Sequence, residues 1–281
     1  MPEANLVRVL DIECEFHKTI LQASDPRVRM SLYAGVYPKV LPLLAPVAER
    51  RRGARLAPLR RMVLLFRREL KGKSVLEVGC GDGAFLQTLA RMLPHGELLG
   101  LDVAAAGVRD ASPHMRFLRH DITRFTLERA FDVVFSSQVL EHLAPADVGS
   151  HLQSVRDALV PGGVFILRLP NRFWGPHDIT RIIDNTFTGR VAAKGSHLNE
   201  SSYSELVPVL RSAGFDRIRT VLPIIHRMPL FRGLRIRPWL NLWVESTAWA
   251  MAASYRVRWK QVPVFHNPII LICRKAYEYL C

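Results

Sequence analysis

Two acids and three glycines within residues 74–102 have the types and spacing of a ligand cradle. Ser74-Val-Leu-Glu-Val-Gly-Cys-Gly-Asp-Gly83 runs from an apolar strand into glycines at 79, 81 and 83; Phe85, Leu86, Leu89, Met92 and Leu93 then follow a helical period. Glycine lets the backbone turn tightly and lets a ligand come where a Cβ would clash. Glu77 stands in the apolar end of that strand. An unpartnered carboxylate is costly there, so it needs a helix N-terminus, a cation or backbone amides. Asp102 ends a second apolar run, Leu98-Leu-Gly-Leu101, 19 residues beyond Gly83. That is the place of the acid that holds ribose hydroxyls in a nucleotide-binding βαβ unit.

A second polar group lies further on. Leu169-Pro-Asn-Arg-Phe-Trp-Gly-Pro-His-Asp-Ile-Thr-Arg181 and Ser196-His-Leu-Asn-Glu200 are dense in functional groups for a loop after a strand. In open α/β sheets, ligands sit beyond the carboxyl ends of the strands. Glu77–Gly83, Asp102, Asp121, Ser137-Gln138 and Pro170-Asn171 all fall at such ends, and their convergence predicts one site.

The motif Glu77-Val-Gly-Cys-Gly-Asp-Gly83 resembles the first motif of the class I S-adenosylmethionine (SAM) methyltransferases, not the dinucleotide motif with its different glycine spacing. His120-Asp121-Ile122 resembles the acidic loop after the third strand of that family. Phe131-Asp-Val-Val-Phe-Ser-Ser-Gln-Val-Leu-Glu-His-Leu143 and Leu159-Val-Pro-Gly-Gly-Val-Phe-Ile-Leu167 resemble its fourth and fifth strands with their turns. The resemblance covers about residues 70–222 and implies SAM as cofactor. It implies that Gly79 and Gly81 pass the methionine part, with Gly83 closing the turn. Asp102 would hold the ribose, Val103 and Ile122 enclose the adenine, and Asp121 accept the adenine amino hydrogens. Ser137 or Gln138 would face the sulfonium.

The loop at 170–200 is similar to that of a subset of bacterial SAM methyltransferases with Pro-Asn-Arg…Gly-Pro-His-Asp-Ile and His-Leu-x-Glu segments, which implies the reaction type and not the acceptor. Methyl transfer is an in-line displacement, so the enzyme mainly aligns the nucleophile and excludes water. A hydroxyl acceptor must also lose a proton, which suits a histidine near its ordinary pKa. His177 and His197 are the candidate bases, with Asp178 or Glu200 to orient them; His177, nearer the strand end, is preferred. The alternative is that these residues only pin the loop. Glu141-His142 is expected to be structural, because adjacent residues on a helix do not face each other. No Asn/Asp-Pro-Pro-Tyr follows the fourth strand and no Pro-Cys nucleophile motif occurs, which argues against methylation of DNA base amines and of cytosine C5.

The chain's 281 residues, with 49% hydrophobic and 23% charged side chains, suit one large α/β domain with additions. Cysteines 14, 80, 273 and 281 have no metal-ligand spacing, so no metal is expected, and they are too sparse for a disulfide framework. Glu3, Asp11, Glu13 and Glu15 make the start unlike a signal peptide. No apolar run is long enough to span a membrane, and a cytoplasmic protein is expected. The net charge of +14 can favour nucleic acid or an anionic membrane surface, or can simply be solvated arginine.

Apolar runs predict strands near 75–79, 97–102, 115–119, 131–136, 163–169 and 215–222, with helices between them. Ile269–Cys273 is wholly apolar and so central; by the resemblance it inserts antiparallel. The expected fold is α/β: a doubly wound, seven-stranded, mostly parallel, Rossmann-like sheet. Residues 1–70 form a helical N-terminal extension, with helices over 4–22, from Asp25-Pro26 onward, and over 56–70; Pro38, Pro42 and Pro46 are expected to break the second. The extension either covers the cofactor, as in many members of the resembled family, or simply packs on the sheet. Residues 71–281 form the methyltransferase domain, with an acceptor loop at 170–200 and a helical insertion at 223–262. In that insertion Trp239, Leu242, Trp243 and Trp249 share a helical spacing with Glu245 off their face, and arginines flank both ends. The face is expected to cap the pocket; peripheral membrane contact is the other reading. The expected activity is methyl transfer to a small-molecule, sugar or lipid-linked acceptor at oxygen. RNA methylation and non-catalytic SAM binding are the rivals.

Overall fold

Val75–Val78 (β1) is apolar on both faces apart from Glu77, and it is buried along its whole length. Such a strand belongs inside a parallel sheet. The computed structural model, which describes residues 3–51, 56–104, 114–182, 191–221, 234–243, 245–247 and 268–276, puts it there. β1 pairs in parallel with Leu98–Asp102 (β2) on one side and Phe131–Ser137 (β4) on the other. Met115–Arg119 (β3) extends the sheet beyond β2, and Leu159–Leu169 (β5) extends it beyond β4. Ile269–Lys275 (β8) inserts antiparallel between β5 and Phe215–Val221 (β6), in the place and sense that the resemblance implied. Two residues, Arg235–Ile236 (β7), add an eighth strand at the edge. The full order is β3-β2-β1-β4-β5-β8-β6-β7.

Helices cover both faces. Glu3–Gln22 (α1), Pro26–Arg51 (α2), Pro145–Asp157 (α6) and Tyr203–Ser212 (α7) lie over one face, where Leu76, Val78, Val134, Leu167 and Leu271 are buried. Leu56–Leu65 (α3), Arg67–Leu70 (α4) and Ala84–Met92 (α5) lie over the other, against Val75, Val133, Phe135 and Ile166. There Phe135 stacks on Phe85 with centroids 4.0 Å apart and meets Phe66 edge-on.

The N-terminal extension departs from expectation in two respects. Asp25 starts α2, its Oδ1 accepting from the Arg27 amide at 2.8 Å. The helix then runs unbroken through Pro38, Pro42 and Pro46. Each proline removes one hydrogen bond to the carbonyl four residues back. Pro38 and Pro42 lie on the exposed side, where the freed carbonyls can reach water, while Tyr33, Val36 and Val40 anchor the opposite side. The expected helix over 56–70 is interrupted at Phe66, which turns into the core.

Much of the 223–262 insertion lies outside the described residues, Trp249 included. Residues 239–243 and 245–247 are helical, but their burial inverts the expectation. Trp239 and Trp243 are 63% and 59% exposed, whereas Asn241 and Glu245 are buried. Among the described residues no helix is long and apolar enough to cross a membrane.

An ionic cluster fastens α2 to α6. Asp147 accepts from Arg29 Nε at 2.8 Å and from a terminal guanidinium nitrogen at 2.5 Å, and from the Tyr33 hydroxyl at 2.8 Å. Arg29 and Asp147 are both buried. Removing one partner of a buried pair strands the other charge, at about 3–5 kcal/mol. Asp147→Ala should therefore lower the stability read from urea unfolding by that amount, and Arg29→Met combined with Asp147→Leu should recover most of it. A loss below about 1 kcal/mol for the single variant would show that the pair does not hold the extension in place.

Candidate functional site

The glycine turn is built as its spacing predicts. Gly79, Gly81 and Gly83 have φ of +77°, +52° and +71°. A Cβ on Gly79 would lie 2.2 Å from Val139 Cγ2, whereas one on Gly81 would meet nothing within 4 Å. Packing therefore demands the first glycine, and at Gly81 the backbone borders open space. Glu77 finds the first of its expected kinds of partner: the backbone amide of Leu86, in the first turn of α5, bonds its carboxylate. Its Oε2 is buried with no partner. Burial, and then the charges of Asp82 and Asp102, push its pKa well above the usual carboxylate range.

Asp102 ties the end of β2 to this turn. Its Oδ2 accepts from the Gly81 amide at 2.9 Å, and its Oδ1 from the Ala104 amide at 2.8 Å. Val103, next in the chain, and Ile122 are both buried in one apolar cluster. Asp121 accepts at Oδ1 from both the amide and the hydroxyl of Thr123, at 2.7 Å each. Ser137 and Gln138 close β4. Gln138 is a non-glycine residue at φ 61°, a conformation that costs of order 1 kcal/mol and is held by its surroundings. Its amide donates to the Arg168 carbonyl at 2.8 Å, and Arg168 bridges Ser137 Oγ and Gln138 Oε1 at 3.2 Å each. Tyr37 of α2 feels the charges of Asp102, Glu141 and Glu13; burial, then those charges, keep its proton on.

The loop after β5 contributes unequal partners. His177 is turned back on its own loop: its Nε2 donates to the Asn171 carbonyl at 2.8 Å and its amide donates to Glu200 Oε1 at 2.7 Å. Burial lowers its pKa despite Glu200 and the Asn171 carbonyl. Asp178 orients neither imidazole through a side-chain bond. Its oxygens accept from the amides of Thr180 at 2.9 Å and Gly195 at 2.7 Å, so it pins the loop. His197 is the histidine with an orienting acid, its Nδ1 lying 2.6 Å from Glu200 Oε1, with both side chains at most 10% exposed. Burial works against charge on His197, but the Glu200 bond and the Glu141 charge outweigh it and its pKa is raised.

Sequence reasoning set aside the pair that His197 meets. Leu140–His142 is a 3-10 turn at the end of β4, and its Glu141 carbonyl accepts the amides of Leu198 at 2.7 Å and Asn199 at 3.0 Å. The His142 ring meets the His197 ring edge-on at 4.8 Å, and its Nδ1 donates to the Ser196 carbonyl at 3.0 Å. Burial drives the His142 pKa down to about 3. Glu141 is fully buried; Gln138 donates to its Oε1, and its Oε2 has no partner. The extension completes this wall: Glu13 Oε2 accepts the Ser196 amide at 3.0 Å, and His17 Nδ1 donates to the Gly195 carbonyl at 2.9 Å. The adjacent Glu-His after a strand end was the available signal for the pair, while nothing local pointed to Glu13 or Tyr37.

The same architecture occurs elsewhere. Residues 76–165 match the family described as "Methyltransferase domain". The chain is similar to the ubiquinone biosynthesis O-methyltransferase of Azorhizobium caulinodans, with 30% identity over 53% of this chain and 61% of that enzyme. It is also similar to the trans-aconitate 2-methyltransferase of Methylobacterium radiotolerans, with 27% identity over 59% of this chain and 69% of that one. Its fold matches the 1,6-didemethyltoxoflavin-N1-methyltransferase of Burkholderia thailandensis, solved with S-adenosylhomocysteine, at a TM-score of 0.56 and 15% identity, over 90% of this chain and 92% of that structure.

Glu141 carries a pH dependence. Burial raises its pKa to about 7 in the fold, from an ordinary 4.5. The stability its proton supplies is fully present below pH 4.5, and is lost as pH rises through 7. In chelating buffer, Glu141→Gln should match the parent at pH 4 and exceed it at pH 8 by about 3 kcal/mol, at 1.36 kcal/mol per pH unit. Urea unfolding at both values tests this. Equal differences at the two pH values would mean that the carboxylate is solvated in the fold.

Proposed function

Because the chain belongs to the class I SAM-dependent methyltransferases, we propose that it moves the sulfonium methyl of SAM to a hydroxyl of a small-molecule, sugar or lipid-linked acceptor. The observation that carries the choice of oxygen is the set of Glu141, His142 and His197, gathered beyond the end of β4 next to Gln138. A hydroxyl is a poor nucleophile until its proton is relieved, and an imidazole-carboxylate cluster is where that relief is supplied. The similarity to an enzyme named as an O-methyltransferase supports the same reading. In this reading the described part of the N-terminal extension covers the cofactor cleft, the described residues of the loop after β5 form the acceptor loop, and residues 234–243 and 245–247 of the insertion border it.

The cofactor would lie along the turn at Gly79–Gly83, its ribose hydroxyls on Asp102 and its adenine between Val103 and Ile122. Asp121 would accept the adenine amino group, and Ser137 and Gln138 would border the sulfonium. The protein's own work is alignment: the acceptor oxygen, the methyl carbon and the sulfur must fall in line in a site free of water. His197, held by Glu200, is the best placed of the loop histidines to act on the acceptor. His177 and Asp178 shape the loop.

RNA methylation draws on the net charge of +14. Yet Arg68, Lys73, Arg217, Arg219, Arg235 and Arg274 gather around a cavity of about 650 Å³. That cavity borders the first residues of β4 and the start of β5, at the opposite end of the parallel strands from the turn and the His cluster. A basic surface there does not serve the transfer site.

Two variants test the reading. Asp102→Ala should weaken SAM binding by about 2–3 kcal/mol, the scale of lost charge-assisted hydrogen bonds; calorimetry giving the parent's affinity would take Asp102 out of the cofactor site. His197→Ala should keep SAM affinity and lower turnover on hydroxyl-bearing acceptors by about 10²–10⁴. If turnover survives intact, oxygen chemistry at this cluster is refuted. If the parent binds SAM and methylates no acceptor in a broad panel, the chain is a SAM-binding protein without this activity.

A further inference from the structure

We infer that Glu141, His142 and His197 bind a divalent first-row transition-metal ion of the zinc type, with a coordination position left open toward the acceptor. As a site the inference stands on geometry; its role in catalysis rests on the methyl-transfer reading above.

Ligand atoms of the three residues all lie within 4.8 Å of one another. Ion-ligand bonds of about 2.0–2.2 Å put even opposite ligands only about 4.2 Å apart, so small side-chain movements close the set. Both histidines are already in the required tautomer. His142 donates its Nδ1 proton to the Ser196 carbonyl at 3.0 Å, and His197 donates its own to Glu200 Oε1 at 2.6 Å. In the neutral form of each ring the lone pair is therefore on Nε2. This is the outer shell that metal-bound histidines have: one nitrogen on an oxygen acceptor, the other on the ion.

The carboxylate supplies an independent observation. Glu141 is 0% exposed, and its Oε2 is buried without a hydrogen-bond partner. A buried polar atom left unpaired is costly, and a cation answers it directly. The backbone holds the ligands in register as well: the amides of Leu198 and Asn199 sit on the Glu141 carbonyl, so the turn after β4 and the loop after β5 approach as one unit. Two imidazoles and one carboxylate suit zinc and its neighbours, whereas magnesium and calcium prefer oxygen throughout. Three protein ligands leave room for a fourth.

An acceptor hydroxyl in that position would lose its proton to solvent near neutral pH, because the ion makes bound oxygen acids stronger. The oxygen lone pair then forms the bond to the methyl carbon as the sulfur-carbon bond breaks. The pair of electrons from that bond returns to sulfur, which becomes a neutral thioether. His197 in this arrangement is a metal ligand and Glu200 a positioning residue.

The test is direct binding. The full chain, dialysed against chelator, is titrated with Co²⁺ and Zn²⁺. One equivalent should bind with micromolar or tighter affinity, Co²⁺ should develop visible ligand-field bands, and the melting temperature should rise. Glu141→Gln and His197→Asn should each weaken binding at least 10–100-fold, with SAM affinity unchanged. Absence of stoichiometric binding, or affinity unaltered in both variants, overturns the site. Should either variant fail to fold, zinc-edge X-ray absorption of the parent protein decides: a nitrogen and oxygen shell with imidazole scattering supports the site, and a sulfur shell overturns it. Methyl transfer that persists in chelated protein without binding would sink the ion and spare the proposed function. An ion bound at these residues in a protein that methylates no hydroxyl would sink the function and spare the site.

Discussion

The two parallel pairings of β1 set the level at which everything else happens. Val78 stands opposite Leu101 on one side and Ser136 on the other. Gly79, Asp102 and Ser137 therefore begin together, one residue past a common line. Side chains alternate along a strand, so a slip of one residue would turn Leu76 and Val78 away from the face under α1 and α2, and Glu77 away from α5. It would also separate Asp102 from the Gly81 amide. The apolar burial of Val75, Leu76 and Val78 at 0% exposure enforces the register, and the site inherits its precision from it.

Against that apolar background, buried acids mark the places where the fold gives up stability. Glu77, Glu141 and Glu13 are all buried, and burial raises the pKa of each. Two of them also fasten two segments: Glu77 joins β1 to α5 and Glu13 joins α1 to the loop at Ser196, while the Glu141 side chain is held within its own turn by Gln138 and its carbonyl takes the Leu198 and Asn199 amides. For Glu13 the Ser196 amide accounts for the carboxylate. For Glu77 and Glu141 one oxygen remains unpartnered. Both of those lie at carboxyl ends of strands, where open α/β sheets bind their ligands. Such sites are where proteins depart from local consistency for the sake of chemistry.

The proposed cofactor half was legible in the sequence because its signals are local. Apolar runs, glycines that need positive φ and an acid after the second strand all act within a few residues of themselves. The antiparallel insertion of β8 was legible only through resemblance, since a wholly apolar run fits any central position. Prolines misled in α2, where the rule that proline breaks helices meets an exposed face with water for the freed carbonyls. The proposed acceptor half was legible as a list and not as a geometry. His177, Asp178, His197 and Glu200 share one loop, yet the bonds that sort them run to Asn171, Gly195 and each other. The partners of His197 beyond the loop, Glu141 and His142, lie more than 50 residues upstream. The spacing of Glu141 and His142 also argues against a shared target on an α-helix, whereas they stand on a 3-10 turn that the third residue approaches from outside.

The insertion before β8 shows why hydrophobic spacing alone misplaced its inward face. Asn241 donates to Thr220 Oγ1 at 3.2 Å. Glu245 accepts from Asn171 at 2.9 Å and from the amides of Tyr203 and Ser204 at 3.0 and 3.3 Å. Those two amides open α7, where the Ser202–Glu205 capping box leaves first-turn donors for another acceptor. A carboxylate at a helix N-terminus is favoured both by those donors and by the helix dipole. The need to satisfy them decides which side of the segment turns inward, and Trp239 and Trp243 are left outside. Asn171 links this to the loop after β5: its side chain holds Glu245 and its carbonyl holds His177. The end of β5 is thus the point through which the insertion, α7 and that loop are positioned together, and the part that carries His197 and Glu200 is set by contacts from both sides of the sheet order rather than by its own sequence.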